Sequence, residues 1–377
     1  MSRAQTNAQA SSLAEKHLVE QVSNAYSEER ALQIVGAGSK RFYGRLLADE
    51  ELFTSSLTGI GHYDPSELVV TVLAGTPIVE LEAELAKHKQ YLPFEPPILG
   101  GKGTVGGMVA TAMAGPRRPW SGAVRDFILG VKIINGRGEL LRFGGQVMKN
   151  VAGYDVSRLM VGAMGCLGVL TEVSIKVLPQ PEAAAFYKLA TTLSDFLVHI
   201  QRWRAGMTPV TGIAFSEGCA YIRLEGSTAT VEDFAQAQNL VTDTDGEQFW
   251  YNLRHQSGAF FKRPEALWRL SVPRETVLDE SVMPTPTPMI MDWSGAQYWL
   301  KSDDAVAVQH LAHSHRGHAY AYHANTSDAD TSHSNAAHSK VGALPALSSG
   351  IQILHQRLKR AYDPKAILNR GRMYAEF

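Results

Sequence analysis

The feature that most constrains this chain is its spacing of glycine. GGKGTVGG fills residues 100–107, GAGSKR fills 36–41 and GCLGVL fills 165–170. Backbone this poor in side chains serves close approach, either of one segment to another or of backbone to a ligand. In a tight glycine turn the N–H groups can cradle a pyrophosphate, because absent side chains let the oxygens come near. GAGSKR satisfies only the first half of the dinucleotide fingerprint, since Arg41 stands where the third glycine belongs. The lysine of GKGT (101–104) is followed by glycine, so it is not a P-loop. Taken singly, each segment is as consistent with plain turns as with a ligand.

The flanking patterns mix α and β. Residues 31–39 read as a short strand entering a glycine turn, and 68–73 as a second strand. Thr76 is expected to cap a helix with Pro77 at its first position, and Ile78, Leu81 and Leu85 share one helical face. Residues 108–114 are small and helix-compatible. Strand-like runs at 128–134 and 139–143 flank NGRG, a hairpin signal. Val156, Leu159, Met160 and Ala163 form another helical stripe, ended by Gly165, and Val169, Val173, Ile175 and Val177 alternate as a strand buried on one face. After PQP (179–181) glycine thins and Trp203, Trp250, Trp268, Trp293 and Trp299 appear, which marks a domain boundary. Residues 314–339, rich in His, Ala, Ser and Thr, read as a mobile loop. Ile351, Leu354, Leu358 and Ala361 predict a C-terminal helix that stops before Asp363.

Composition removes whole classes of function. With 36 basic and 37 acidic residues the net charge is -1, which gives no long-range field for nucleic acid or an anionic membrane. Cys166 and Cys219 form no spaced cluster for zinc or iron–sulfur, so any redox centre is an organic cofactor or lies on a partner. Two buried free thiols in a reducing cytoplasm are expected rather than a disulfide. Residues 1–12 lack the apolar core of a signal peptide, and no run of apolar residues is long enough to span a bilayer. The expected location is the cytoplasm, with any attachment at the inner membrane made through partners.

The order of the motifs carries a family resemblance. GAGSK (36–40), then GGKGTVGG (100–107), then VKIINGRGE (131–139) resembles the vanillyl-alcohol-oxidase type of FAD domain, the fold shared with p-cresol methylhydroxylase. MKNVAGYDVSRLM (148–160) with GCLGVLTE (165–172) is similar to the glycolate oxidase and D-lactate dehydrogenase branch. GPRRPWSGAVRD (115–126), FGGQVMKNVAGYD (143–155), LWRLSVP (267–273) and the tail from YDP (362–364) to NRGRMY (369–374) resemble the E-subunit family of bacterial glycolate oxidases. The likeness spans most of the chain and thins between residues 182 and 248 and in the histidine loop.

The resemblance implies an α+β architecture. A two-part FAD-binding domain over 1–181, divided near residue 74, would precede a smaller α+β cap over 182–345. The helix and tail of 346–377 would return to the FAD domain. It further implies that Gly36, Ala37, Gly38, Ser39 and Lys40 hold the FAD pyrophosphate, and that Gly101, Thr104, Val105, Gly106 and Gly107 run along the other side of the cofactor. Lys149, Asn150, Gly153 and Tyr154, with Gly168, Val169 and Leu170, would line its ring or adenosine end, and Asn369 would return toward the flavin. Relatives often have Asn-Pro-Gly at the tail where this chain has Asn-Arg-Gly. Many relatives attach the flavin to a histidine just after the first glycine turn. Ser39 and Lys40 follow here, and the next histidine is His62, so FAD is expected to be non-covalent.

Oxidising a small 2-hydroxy acid needs a cation for the carboxylate and a base for the hydroxyl proton. Catalytic relatives carry a His-x-Gly-Asp-Gly-Asn-x-His string that binds a metal beside the substrate, and this chain has none. Seven of the thirteen histidines fall between His310 and His338, but the only acids there, Asp328 and Asp330, lie away from the histidine cluster and there is no cysteine, so solvated loop is the reading and no metal site is assigned. Arg117, Arg118 and Arg125 face either a carboxylate, the FAD phosphates or surface ion pairs. Arg254 and His255 read as partly buried cap surface, Asp126 as a turn or arginine partner, and the tryptophans as core or interface anchors. No catalytic residue is assigned. The expected role is the FAD-carrying subunit of a complex that oxidises glycolate to glyoxylate with a catalytic flavin subunit and an iron–sulfur subunit. A stand-alone flavin enzyme for a 2-hydroxy acid and a flavin-free assembly subunit are the alternatives.

Overall fold

A computed structural model describes residues 3–45, 47–145, 155–278, 287–322, 344 and 346–376. The chain divides into two compact units. The first comprises Met1–Met113, Ala123–Pro179 and Ala346–Phe377, and the second Ala114–Gly122 and Gln180–Pro345. The stretch Ala114–Gly122 therefore packs with the second unit, although in sequence it interrupts the first.

The first unit opens on helix α1 (Arg3–Glu28), which the sequence reading did not anticipate. Its buried contacts are spaced i, i+4 and i+7: Leu18, Val22 and Ala25 are almost fully buried against Leu32, Leu52, Leu57, Ile134, Val169, Ile367 and Leu368. Burying a Leu or Val side chain stabilises by about 1.5–3 kcal/mol, so this short stripe fastens an otherwise polar helix. Strands β1 (Leu32–Val35) and β2 (Glu50–Phe53) pair in parallel. A parallel pair needs a long crossover. Here residues 36–49 make it without a helix, which puts the first glycine segment at the carboxyl end of β1.

A five-stranded antiparallel sheet follows in the order β3-β4-β8-β6-β7, made of β3 (Ile60–Asp64), β4 (Val69–Leu73), β6 (Ile128–Ile134), β7 (Leu140–Gly144) and β8 (Val169–Lys176). Short strands β5 (Gln90–Tyr91) and β9 (Leu178–Pro179) pair separately. The strands on either side of residue 74, from Ile60 onward, belong to this one sheet. NGRG joins β6 to β7 as a hairpin, with Asn135 Oδ1 accepting from the N–H groups of Arg137 and Glu139. Helix α2 (Ile78–Lys87) buries Ile78, Leu81 and Leu85 as the spacing required, but Thr76 is not its cap. The Thr76 hydroxyl instead exchanges hydrogen bonds with the backbone of Gly59, and Pro77 precedes the helix. The stripe at 156–163 is helical only over Val156–Met160, since the chain turns extended at Val161.

The second unit is an eight-stranded antiparallel sheet in the order β13-β10-β12-β11-β15-β16-β14-β17. Its strands are β10 (Ala183–Ala190), β11 (Val210–Ser216), β12 (Cys219–Gly226), β13 (Val241–Thr242), β14 (Leu267–Ser271), β15 (Met289–Asp292), β16 (Gln297–Lys301) and β17 (His318–Tyr322). Helices Leu193–Ala205, Thr228–Ala237 and Ala305–Ser314 bury one face of it around Phe196, Ile200, Trp203, Ile222, Trp268 and Leu300. Strand β17 corrects the expected loop of 314–339. His318–Tyr322 pairs with β14 in register Ser271↔His318 and adds an edge to the sheet; residues 323–339 lie outside the described residues. Trp203, Trp250, Trp268 and Trp299 are buried. Helix Ser349–Tyr362 returns the chain to the first unit. Among the described residues, no helix is long and apolar enough to cross a membrane.

Candidate functional site

The crossover after β1 forms one wall of a cleft in the first unit, with about 840 Å³ of empty space counted out to its open mouth. Gly36 is obligatory by contact: a Cβ there would stand 2.5 Å from Thr104 Oγ1. Gly38 is obligatory by conformation, with φ of 73°. The opposite wall is helix α3 (Val105–Thr111), whose entry Thr104 caps by accepting the Gly107 N–H at 3.2 Å. A Cβ on Gly106 would meet the side chain of Ala74 at 2.9 Å, so glycine lets α3 lie against the end of β4.

The C-terminal tail supplies the floor. Leu368 bridges to Leu32 in parallel, with Leu32 N–H donating to Ile367 O and Asn369 N–H to Leu32 O. The Asn369 amide accepts from Ile34 N–H at 2.7 Å and donates to Met164 O at 2.6 Å, joining the β1 wall to the turn before β8. Below it, buried Lys359 donates to the carbonyls of Cys166 and Leu368 and pairs with buried Asp363 at 2.8 Å. The Asp363 carboxylate in turn accepts from Ile367 and Leu368 N–H.

The electrostatics of the cleft have one sign. Its titratable lining residues are Lys40, Arg41, Tyr43 and Arg372, with no acid among them. Arg41 turns out to Glu51. Lys40 is only 9% exposed, and among the described residues its ammonium has neither a carboxylate partner nor a hydrogen-bond acceptor. Burial alone pulls its pKa down to about 8. The backbone N–H groups of Ala37, Gly38, Ser39 and Lys40 likewise donate to no acceptor among the described residues. Ala37 is exposed and Gly38 and Ser39 are half-buried, so these N–H groups open to solvent, while the largely buried Lys40 side chain carries a desolvation cost that a bound anion would offset. Consecutive free N–H groups beside a free ammonium fit a phosphate-bearing anion.

Of the residues singled out in the sequence, Gly36, Ala37, Gly38, Ser39, Lys40, Thr104, Gly106, Gly107, Gly168, Leu170 and Asn369 converge on this cleft. Gly101, Val105 and Val169 do not line it: Gly101 lies on a short 3-10 turn, Val105 is a buried residue of the first turn of α3 and Val169 belongs to the core beside α1. Lys149, Asn150, Gly153 and Tyr154 fall outside the described residues. Arg372, Met164 and Gly165 line the cleft and were not singled out as ligands. Arg372 had one visible signal, its place three residues after Asn369 in the tail motif.

The other polar candidates are engaged elsewhere. Arg117 is buried in the second unit, where both of its terminal nitrogens bond the Glu225 carboxylate, and Arg118 stacks 4.3 Å from the Trp293 ring centroid. Arg125 is exposed, and Asp126 accepts from Ala123 N–H at a turn. His255 packs on Tyr251. Both cysteines are free thiols, and among the described residues no cluster of His, Cys, Asp and Glu could hold a metal.

Comparison with known proteins agrees with this geometry. The FAD binding domain family matches residues 14–144. The glycolate oxidase subunit GlcE of Escherichia coli (strain K12) is 44% identical over 359 residues, which cover 95% of this chain and 97% of that protein. Glycolate oxidase subunit GlcD of Bacillus subtilis (strain 168) is 32% identical over 36% of this chain and 30% of its own length, and a D-lactate dehydrogenase of Anaerostipes hadrus is 34% identical over 32% and 25%. Among solved structures, alkyldihydroxyacetonephosphate synthase superposes with a TM-score of 0.65 at 15% identity, covering 94% of this chain and 75% of that one, a likeness of fold alone. Near-full-length identity to one subunit, against partial matches to the others, decides the assignment: the chain belongs to the GlcE family of glycolate oxidase subunits and carries an FAD binding domain.

Proposed function

We propose that this chain binds one FAD non-covalently and serves in a glycolate oxidase complex that converts glycolate to glyoxylate. In this reading a GlcD-like flavin subunit carries out substrate oxidation and an iron–sulfur subunit takes electrons onward. The observation that carries the reading is the cleft itself: N–H groups at 37–40 and a Lys40 ammonium that have no partner among the described residues, in a chain 44% identical to a GlcE subunit. The N–H groups and Lys40 would hold the diphosphate, and Gly36, Gly106 and Gly107 would let it approach the backbone. Thr104, Gly168, Leu170 and Asn369 would flank the rest of the cofactor. A bound flavin supplies two-electron acceptance and onward electron transfer.

The division of labour rests on what the sequence lacks. The metal-binding histidine string of the catalytic relatives is absent, and Arg117 and Arg118, candidates for a substrate carboxylate, are already engaged by Glu225 and Trp293. The complex would be cytoplasmic, or peripheral at the inner membrane through its other subunits. The test is glycolate-dependent dye reduction by the FAD-loaded chain alone, by a GlcD-like subunit alone, and by the assembled complex. Turnover that requires the complex supports the proposal. Turnover by this chain alone would overturn the partner-dependent part.

A further inference from the structure

Arg372 lies at the far end of the chain from the glycine loop, 327–332 positions away from the residues it bonds. Its guanidinium is buried and donates to three carbonyls of that loop: Nη1 to Arg45 O at 2.7 Å, and Nη2 to Lys40 O at 3.2 Å and Arg41 O at 2.8 Å. The contact is returned, since Arg45 N–H donates to Arg372 O at 2.8 Å. Gly44 makes this approach possible: its φ is 89°, and a Cβ there would stand 2.8 Å from Arg372 O. Arg372 is itself held by its N–H bond to Asn369 O, next to the Asn369 amide that grips Ile34 and Met164.

We propose that Arg372 is the positioning residue of the cofactor loop, so that the C-terminal tail sets how tightly the chain holds a diphosphate ligand. The inference rests on the FAD-binding reading given above. A buried cation with backbone carbonyls as its acceptors is an expensive way to close a loop, because charge is withdrawn from water without a counter-ion. Two features make it useful here. The planar fork can span acceptors along a curved segment, where an ammonium is a single point donor. It also gathers three carbonyls of the loop, each with partial negative charge, onto one cation. The free N–H groups of residues 37–40 and the Lys40 ammonium then face a cleft in which no carbonyl need compete for them. Without Arg372 those carbonyls seek water or neighbouring donors, and the N–H groups lose their common focus.

The experiment compares the full chain with R372M and R372K. FAD and ADP, both of which carry the diphosphate, are titrated into each ligand-free protein by calorimetry. Amide hydrogen exchange is followed in the same samples without ligand. Three charge-assisted bonds are at stake, and binding recovers only part of their worth. R372M should therefore raise Kd for both ligands by about 10- to 100-fold. Exchange should quicken across residues 36–45 while strand β8 stays protected. R372K should fall between the two, keeping the charge but not the fork. Wild-type affinity in R372M for either ligand overturns the inference while leaving FAD binding intact, as does exchange that quickens throughout the first unit. A wild-type chain that binds neither FAD nor ADP overturns the FAD-binding reading, and this inference with it.

Discussion

Replacing Lys40 with Met should make the ligand-free protein more stable and the cofactor site worse. In the fold, burial holds the Lys40 ammonium down at about 8, whereas an unfolded chain leaves a lysine near 10.4. Each unit of difference is worth about 1.4 kcal/mol, so the charged, unpaired side chain costs about 3 kcal/mol at pH 7. The sign follows from proton uptake. Between about pH 8 and about pH 10.4 the unfolded chain binds the proton and the folded chain does not, so wild-type stability rises with pH across that window and is lowest below it. Lys40→Met removes the titrating group. Its stability should therefore exceed wild type by up to about 3 kcal/mol at pH 7, with the gap closing as pH rises toward 10. Affinity should move the other way. A hydrogen bond from an ionised donor contributes about 1.5–3 kcal/mol, so the variant should bind FAD roughly 10- to 100-fold more weakly. Wild-type affinity should itself fall as pH rises above about 8, where the free ammonium loses its proton. Urea denaturation of the ligand-free proteins at pH 7 and pH 9.5, and flavin-fluorescence titration at both, read out all of this. A variant that is less stable than wild type at pH 7, or that binds FAD as tightly, refutes the reasoning.

Three other substitutions or labels probe separate parts of the account. Gly36→Ala places a methyl 2.5 Å from the Thr104 hydroxyl, so the α3 cap must shift; about 1–3 kcal/mol of stability and at least tenfold in FAD affinity should be lost, by thermal melt and titration. Lys359→Met strands the buried Asp363 carboxylate and two carbonyls at the base of the tail, which should cost about 3–5 kcal/mol in urea unfolding; a cost under 1 kcal/mol would argue against that pair as the tail's anchor. Burial pushes the Cys166 thiol up, with only partial relief from nearby Lys359, so a thiol reagent at pH 8 should modify Cys219 first and Cys166 only on unfolding. Mass spectrometry of the labelled peptides decides that order.

The glycine segments were legible because backbone approach leaves a local mark: Gly36 must be glycine for Thr104, and Gly106 for Ala74, whatever the rest of the chain does. Helix α2 was legible because one buried face imposes a period; strand β8 was found by its alternation, although it is not buried on one face alone, since Leu170 and Ser174 on the other face are buried too. The misses have physical causes too. Helix α1 is fastened by only a few buried side chains, among them Leu18, Val22 and Ala25, so its period is diluted by polar residues and was overlooked. Thr76 looked like a cap because its spacing to the helix was right, but a partner seventeen residues away claimed its hydroxyl. Strand β17 sits in a His- and Ala-rich stretch and forms because β14 offers it an edge, a fact no local composition carries. For Arg117 the sequence left a carboxylate, the FAD phosphates and a surface ion pair open; Ala114–Gly122 belongs to the second unit, where the guanidinium is paired with Glu225, but buried instead of at the surface. Arg372 was missed because its partners are carbonyls at the other end of the chain, which leave no signature in residue type.

The central claim is that the cleft beside residues 36–40 holds a dissociable FAD. Its most direct test is to incubate the purified full chain with FAD, remove excess cofactor by desalting, record the visible spectrum and then precipitate the protein with acid. The account predicts a yellow protein carrying about one flavin per chain, with all of the flavin released into the acid supernatant. A chain that stays colourless after reconstitution contradicts the claim, and flavin that remains with the precipitate contradicts its non-covalent part.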